Sequence, residues 1–272
     1  MQITSAMKMV SAAKLKKAHD AVVALNPYCS KIKQIIGHIT YGEERISSIY
    51  AERRPVKNLL IVCVTSNRGL CGAFNSNVIK EVLKLVVSND AHRVSVACIG
   101  KRGSDILKKN CNVIYFNETI FDDLSFENSE LIANEIMQYF IDKQFDKIFT
   151  VHNYSKTPAT QIIQTEQFLP ILPNSTPREK TDSSTLNDYI FEPSKSEILQ
   201  SLIPKALKVT FYKILRNSFE AEHGARMTAM HKATDNAQEL KDKLTLKYNK
   251  ERQATITGEI LEIVGGAEAL NS

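Results

Sequence analysis

A chain of 272 residues that is 43% apolar can bury a sizeable core, and its 10 glycines and 8 prolines are too few for a low-complexity or disordered polymer. No stretch reaches the ~18 consecutive apolar residues of a membrane span, and the start, MQITSAMKMVSAAKLKK, lacks the apolar core and cleavage site of a secretory signal. An intracellular protein is expected. The net charge of +5 is unevenly spread: residues 1–54 hold 9 basic and 4 acidic residues, 55–194 hold 14 and 16, and 195–272 hold 12 and 10.

Prolines divide the chain in the same places. Only Pro27 lies before Pro55 and none follows Pro204, which predicts two long helical ends around a globular middle, with segments 1–54, 55–194 and 195–272. In the first segment Ala18, Ala21, Leu25, Tyr28, Ile32, Ile35, Ile39, Gly42, Ile46 and Ile49 alternate spacings of 3 and 4, a coiled-coil seam. Upstream, Ile3, Met7, Val10 and Lys14 continue the spacing with a shift of phase. Pro27 is expected to kink this helix or to remove one hydrogen bond, at a local cost of about 3 kcal/mol. Lys8, Lys14, Lys16, Lys17, Lys31 and Lys33 make the helix basic. Without interleaved aromatic residues it reads as a solvated or acidic-protein-facing helix rather than a nucleic-acid binder.

The middle alternates strands and helices. KNLLIVCVTS (57–66), RVSVACIG (93–100), NVIYF (112–116) and DKIFTVHNY (146–154) are buried-type strands, and NVIKEVLKLVVS (77–88) and NSELIANEIMQYFID (128–142) are amphipathic helices, which together predict a parallel α/β sheet. TQIIQTEQFLPILP (160–173) and YIF (189–191) are weaker strand candidates, and PNSTPREKTDSST (173–185) reads as a loop. The turn Arg68-Gly69-Leu70-Cys71-Gly72 sits where α/β folds bind nucleotides. It carries neither GxGxxG nor GxxxxGK[ST], so a structural turn is the preferred reading over a phosphate site. Gly100-Lys101-Arg102-Gly103 reads as a basic strand-to-helix turn rather than an RNA clamp. Asp122-Asp123 is a surface turn or an N-cap pair.

In the third segment Met230, Ala233, Ala237, Leu240 and Leu244 form one apolar stripe, and Ile256, Ile260, Ile263, Ala267 and Leu270 a second one on a shifted face. A single helix over 196–270 would be about 110 Å long, too long for a compact domain, so it must project, with the N-terminal helix as its antiparallel partner. The five cysteines show neither CxxC spacing nor a pairing pattern and read as reduced, small apolar residues; the six histidines show no HxxxH or HExxH spacing. No active site, metal site or cofactor site is legible. These residues admit an α/β enzyme or nucleotide-binding protein with a helical oligomerisation arm, or a coiled-coil scaffold.

Four segments go further. ITSAMKMVSAAKL (3–15), SNRGLCGAFN (66–75), EAEHGARMTAMHKATDNA (220–237) and YNKERQATITGEILEIVGGAEAL (248–270) resemble the gamma subunit of F-type ATP synthase, with Thr257, Glu259, Glu262, Gly266 and Ala267 at the spacing of that family's C-terminal signature. The resemblance implies a long antiparallel coiled coil of N- and C-terminal helices plus a Rossmann-like α/β domain. Its implied role is a non-catalytic, central-stalk rotor in a proton-transporting complex. It would couple ion flow through the membrane c-ring to conformational cycling of the beta-subunit catalytic sites during ATP synthesis or hydrolysis. The implied partners are the hexameric ring of alpha and beta subunits, the epsilon subunit and the c-ring, with no cofactor and no nucleic acid.

Carried over residue by residue, Arg252, Gln253, Thr257 and Glu259, with Met7 and Lys8 on the facing helix, match positions that meet beta-subunit loops. Ile256, Ile260, Ile263 and Val264 match an apolar bearing tip. Tyr189, Phe191 and Glu192 match a foot contact with the membrane ring and epsilon. The implied location is peripheral, on the cytoplasmic face of a bacterial inner membrane, an organellar inner membrane being the second choice. Family members carry a basic helical stretch before the ITxAM motif that this sequence lacks, which reads as a shortened start.

Overall fold

A computed structural model describes residues 2–40, 48–88, 93–171, 192 and 194–271, with side chains to 267. Strand β1 (Asn58–Val64) lies at the centre of a five-stranded sheet, with β2 (Arg93–Ile99) and β3 (Asn112–Asn117) on one side and β4 (Lys147–Thr157) and β5 (Thr160–Leu169) on the other. Pairing is parallel from β3 through β4. The four strands expected to be parallel are so, and the weaker candidate, β5, is added antiparallel to β4 at the edge. Only the short turn at Pro158 separates β4 from β5, and a parallel return needs a crossover of a dozen or more residues.

The continuous apolar run of β1 is explained by burial on both faces. Leu60, Val62 and Val64 point to one core, shared with Ile132, Ile136 and Phe140 of helix α4 (Phe126–Ile141). Leu59, Ile61 and Cys63 point to the other, shared with Val78, Ile79 and Val82 of helix α2 (Phe74–Ser88) and Leu107 of the short helix α3 (Lys101–Leu107). The basic strand-to-helix turn expected at 100–103 is tight: β2 ends at Ile99 and α3 begins at Lys101. Gly100 makes this entry possible. Its φ is +97°, and a Cβ would sit 2.1 Å from the Thr65 carbonyl oxygen, so only glycine fits without moving the backbone. The cap of α4 is Ser125, whose hydroxyl accepts from Asn128 N, while the Asp123 side chain accepts from Asn128 Nδ2 in the turn before it.

Helix α1 (Gln2–Ile39) and helix α5 (Lys195–Asn271, 77 residues) dominate the molecule. Ser194 caps the start of α5: its hydroxyl accepts from Glu197 N at 3.3 Å and donates to Glu197 Oε1 at 3.1 Å. Its first half is part of the foot, with Leu199, Ile203, Leu207, Phe211, Ile214 and Leu215 in the core beneath the sheet. Gly224 fits a close approach of the β4–β5 turn, since a Cβ there would come 2.8 Å from the Pro158 carbonyl oxygen. α1 lies antiparallel to α5: Thr234 Oγ1 donates to Thr4 Oγ1 at 2.9 Å, and His19 Nδ1 is 2.9 Å from Glu220 Oε1.

The seam of α1 differs from the one counted in the sequence. Ser11, Leu15, Ala18, Val22, Cys29, Ile32 and Ile39 are buried. One predicted column, Ala18, Leu25, Ile32 and Ile39, is correct. The other runs through Val22, Cys29 and Ile36 rather than Ala21 and Tyr28, which is 55% exposed, while the counted Ile35 does pack against the core of the foot. The seam also continues upstream through Ser11 without a phase shift, leaving Ile3 and Val10 exposed. The helix ends at Ile39, so Ile49 falls in a separate 3-10 turn and is exposed; Gly42 and Ile46 lie outside the described residues. α1 runs unbroken through Pro27, which is exposed, as is Val23, whose carbonyl loses its helical partner there. Water can satisfy that carbonyl, which limits the cost. Pro204 stands likewise inside α5.

All five cysteines are free thiols, and burial between the strands raises Cys98 to about 12. No described helix is long and apolar enough to cross a membrane. His152 on β4 is 1% exposed, and burial lowers it to about 4 from 6.5, outweighing a hydrogen bond with Gln164. The native state thus refuses a proton that the unfolded chain accepts below pH ~6.5. Unfolding free energy should be fully retained above that pH and fall by up to about 3 kcal/mol from this residue as pH drops toward 4. Urea titrations of the parent and of His152→Gln across that window should show the shallower pH slope in the variant.

Candidate functional site

Three of the four motif segments meet in space. The turn after β1 is held by Ser66, whose N donates to Asn75 Oδ1 at 2.9 Å and whose hydroxyl donates to the Arg68 carbonyl at 2.7 Å. Leu70 and Gly72 take positive φ there, so the turn is compact and presents two carbonyls outward. Cys71 and Phe74 pack on Ala221 and Ala225 of α5. Arg226 of α5 then reaches across: its Nη2 donates to the Arg68 carbonyl at 3.1 Å and its Nε to the Gly69 carbonyl at 3.3 Å. The same guanidinium donates to Glu222 Oε1 at 2.6 Å. Both side chains of this pair are less than 10% exposed.

The electrostatics follow from that burial. Glu222 is raised by desolvation, with Arg226 opposing it as the largest favourable charge and Lys14 of α1 and Arg68 adding to that opposition. His223 is lowered to about 4 by burial, by Arg226 and by Lys14, so its ring is neutral at pH 7. Arg226 thereby ties foot to rod, and α1 lies against the same junction through Lys14. The motif EAEHGAR contains these residues, but an i, i+4 Glu–Arg pair on a helix ordinarily reads as a solvated surface pair, so nothing local marks it as buried.

The polar positions expected to meet a partner lie elsewhere. Arg252, Gln253, Thr257 and Glu259 are all exposed on α5, the Thr257 hydroxyl donating back to the Gln253 carbonyl at 2.8 Å. Ile256, Ile260, Ile263 and Val264 are 47%, 54%, 71% and 54% exposed. At about 100° per residue these eight side chains fall within one sector of about 160°. Polar and apolar candidates therefore interleave on one half of the helix, and Ala254, Gly258 and Gly265 lie on the other. Met7 and Lys8 are half-buried against α5 close to the Thr4–Thr234 contact. The antiparallel register sets them roughly 30 Å along the rod from Arg252, so the structure does not bring the two groups together. Glu192 is exposed in a bend just before α5, and Tyr189 and Phe191 lie outside the described residues.

Comparison with known proteins agrees with this geometry. A family model described as ATP synthase matches residues 1–270. The ATP synthase gamma chain of Christiangramia forsetii is 55% identical, covering 100% of this chain and 94% of the relative, and that of Geotalea daltonii is 42% identical, covering 99% and 93%. In fold, the chain resembles one from the central stalk/c-ring structure of the Tetrahymena thermophila mitochondrial ATP synthase (TM-score 0.62, 20% identity, 85% of this chain and 99% of that chain). It also resembles one from the Euglena gracilis mitochondrial enzyme (TM-score 0.59, 18% identity, 98% and 95%).

The Arg226 pair makes a quantitative prediction. Arg226→Met leaves Glu222 buried without its partner and should cost about 3–5 kcal/mol, read as a shift of the urea midpoint. Arg226→Lys keeps the charge but cannot serve two carbonyls and a carboxylate at once, and should fall between that variant and the parent. With three of its four motif segments gathered at one junction and residues 1–270 matched, the chain belongs to the ATP synthase gamma chain family.

Proposed function

We propose that this chain is the central-stalk rotor of an ATP synthase, transmitting rotation between a membrane c-ring and the catalytic beta subunits. The observation that carries the reading is the unpartnered half of α5. From Glu239 to Ala267 nearly every residue is exposed, a span of more than 40 Å at about 1.5 Å per residue, although it carries Leu240, Leu244, Tyr248 and the Ile256–Val264 group. An isolated helix with that much exposed apolar surface gains its stability only against another surface. A hexameric ring of alpha and beta subunits supplies such a sleeve, within which the apolar positions turn with few directional bonds to break.

The polar residues of the same sector supply the directional part. Arg252, Gln253, Thr257 and Glu259, and lower on the rod Met7 and Lys8, meet beta-subunit loops in turn. A charge-assisted hydrogen bond from Arg252 to an acidic loop contributes about 1.5–3 kcal/mol, enough to bias one conformer of a beta subunit and small enough to be broken at each step. The chain itself supplies no catalytic group. Its membrane association is peripheral, through the complex, with Tyr189, Phe191 and Glu192 at the end facing the c-ring and epsilon subunit, on the cytoplasmic side of a bacterial inner membrane.

Two measurements test this. The purified chain should neither hydrolyse ATP nor bind it tightly, and sustained hydrolysis without alpha and beta subunits would refute the rotor role. In the assembled complex Arg252→Ala and Gln253→Ala should lower coupled ATP synthesis several-fold while leaving the urea midpoint of the isolated chain unchanged. Full synthesis in both variants would remove these residues from the contact.

A further inference from the structure

The rod leaves the foot past the C-terminal ends of the strands, where Arg226 meets the turn after β1 and Gly224 meets the Pro158 turn, so the edge where the parallel strands begin points the other way. Cations gather at that far edge. Asn58 pairs with Arg93 and Leu59 with Lys147, and Arg93 N donates to the Lys57 carbonyl at 3.1 Å, which sets Lys57, Arg93 and Lys147 on neighbouring strands within two residues of one another along the sheet. Arg53, in the segment leading into β1, and Lys143, in the turn leading into β4, lie at the same edge. All but the half-buried Lys147, which rests over the Phe149 ring at 4.6 Å, are exposed.

None of these five side chains forms an ion pair among the described residues. The carboxylates of the same edge are engaged elsewhere: Glu52 lies 3.6 Å from Arg54 Nε, Asp142 accepts from Gln138 Nε2 at 2.7 Å, and Asp146 accepts from both Lys57 N and Asn58 N at 2.9 Å. Like charges held side by side repel, and a surface dense in phosphates relieves that repulsion. Two exposed apolar residues stand among the cations. Val56 precedes Lys57, and Val87, 86% exposed, comes to this edge because α2 crosses back between two parallel strands. No Phe or Tyr is exposed at this edge among the described residues, which removes the stacking platform that single-stranded nucleic acid uses, whereas cations around apolar tips suit a bilayer's headgroup layer. Arg93 also lines a cleft of about 550 Å³ with Asn58, Ser95, Asn112 and Gln144, neutral hydrogen-bonding side chains with room for a phosphodiester.

We propose that the strand-start edge of the foot docks on an anionic phospholipid surface, with Arg53, Lys57, Arg93, Lys143 and Lys147 over the headgroup phosphates. Lipids diffuse laterally, so the contact sets the distance of the foot from the bilayer and leaves the rod free to turn. The inference goes beyond the rotor reading, and its test uses neither the c-ring nor the alpha and beta subunits.

The probe is a vesicle of phosphatidylglycerol mixed with phosphatidylcholine, sedimented with the full chain. Binding is expected at about 0.1 M salt and should be lost toward about 1 M, as the screening length shrinks from about 10 Å to about 3 Å. Vesicles of phosphatidylcholine alone should bind at least about tenfold more weakly. The triple variant Lys57→Gln, Arg93→Gln, Lys143→Gln should lose at least about tenfold in partitioning with an unchanged urea midpoint. The variant Lys16→Gln, Lys17→Gln, Lys33→Gln removes the same charge from exposed positions of the basic helix α1 and should bind within about twofold of the parent. Equal binding to phosphatidylcholine, binding that ignores salt, full binding in the edge variant, or an equal loss in the α1 variant would each overturn the proposal. So would displacement from the vesicles by a single-stranded oligonucleotide at equal phosphate concentration, which would assign the edge to nucleic acid.

Discussion

Burial of one face of α5 beneath the sheet is the constraint on which the rest of the molecule depends. Leu199, Ile203, Leu207, Phe211, Ile214 and Leu215 belong to the core of the foot as fully as the strands do. At about 25 cal/mol per Å² of apolar surface, burying such side chains contributes on the order of 1.5–3 kcal/mol each, which anchors the base of the helix. Everything beyond that base is cantilevered from it. The rod cannot tilt against the foot without opening the core that stabilises both.

The Arg226 junction extends that rigidity past the core. Burial of one apolar face already sets the rotation of α5 about its axis at the base, and a planar guanidinium reaching two successive carbonyls holds the same azimuth further along the helix. Gly224 complements this by letting the Pro158 turn rest on the helix backbone. The α1 contacts Thr4–Thr234 and His19–Glu220 act on the same stretch from the other side. Torque applied at the foot therefore reaches the free half of α5 through a junction in which apolar core, buried ion pair and close backbone contact are adjacent. The exposed sector from Arg252 to Val264 can then present a defined azimuth to whatever surrounds it.

Much of this was legible because the patterns were long. The run NLLIVCV has no polar interruption, which suits a strand covered on both faces, and the scarcity of proline and glycine in the third segment left only a long helix. The seam of α1 was half legible. Ala21 and Val22, Tyr28 and Cys29, and Ile35 and Ile36 are adjacent apolar pairs, so two heptad columns fit equally well; packing selects Val22 and Cys29, and uses both Ile35 and Ile36. Upstream the real seam passes through Thr4 and Ser11, polar residues that periodicity counts ignore, while exposed Ile3 and Val10 mimic it. The strand-to-helix turn at 100–103 was legible but not that the helix already includes Gly103, because both glycines look like breakers, whereas each sits against Thr65 at a distance that leaves no room for a Cβ.

The sequence by itself determined the class of the protein: two helical ends, an α/β middle, and four segments that carry the family. These are one-dimensional properties, set by spacing and composition, and they survive without knowledge of what touches what. The tertiary structure alone decided the direction of β5, which seam faces the partner helix, and the separation of Met7 and Lys8 from Arg252. It also decided that Glu222, His223 and Arg226 are buried rather than solvated. Each of those depends on contacts between residues far apart in the chain, where burial changes the energy of a charge or a hydrogen bond by more than any local preference can.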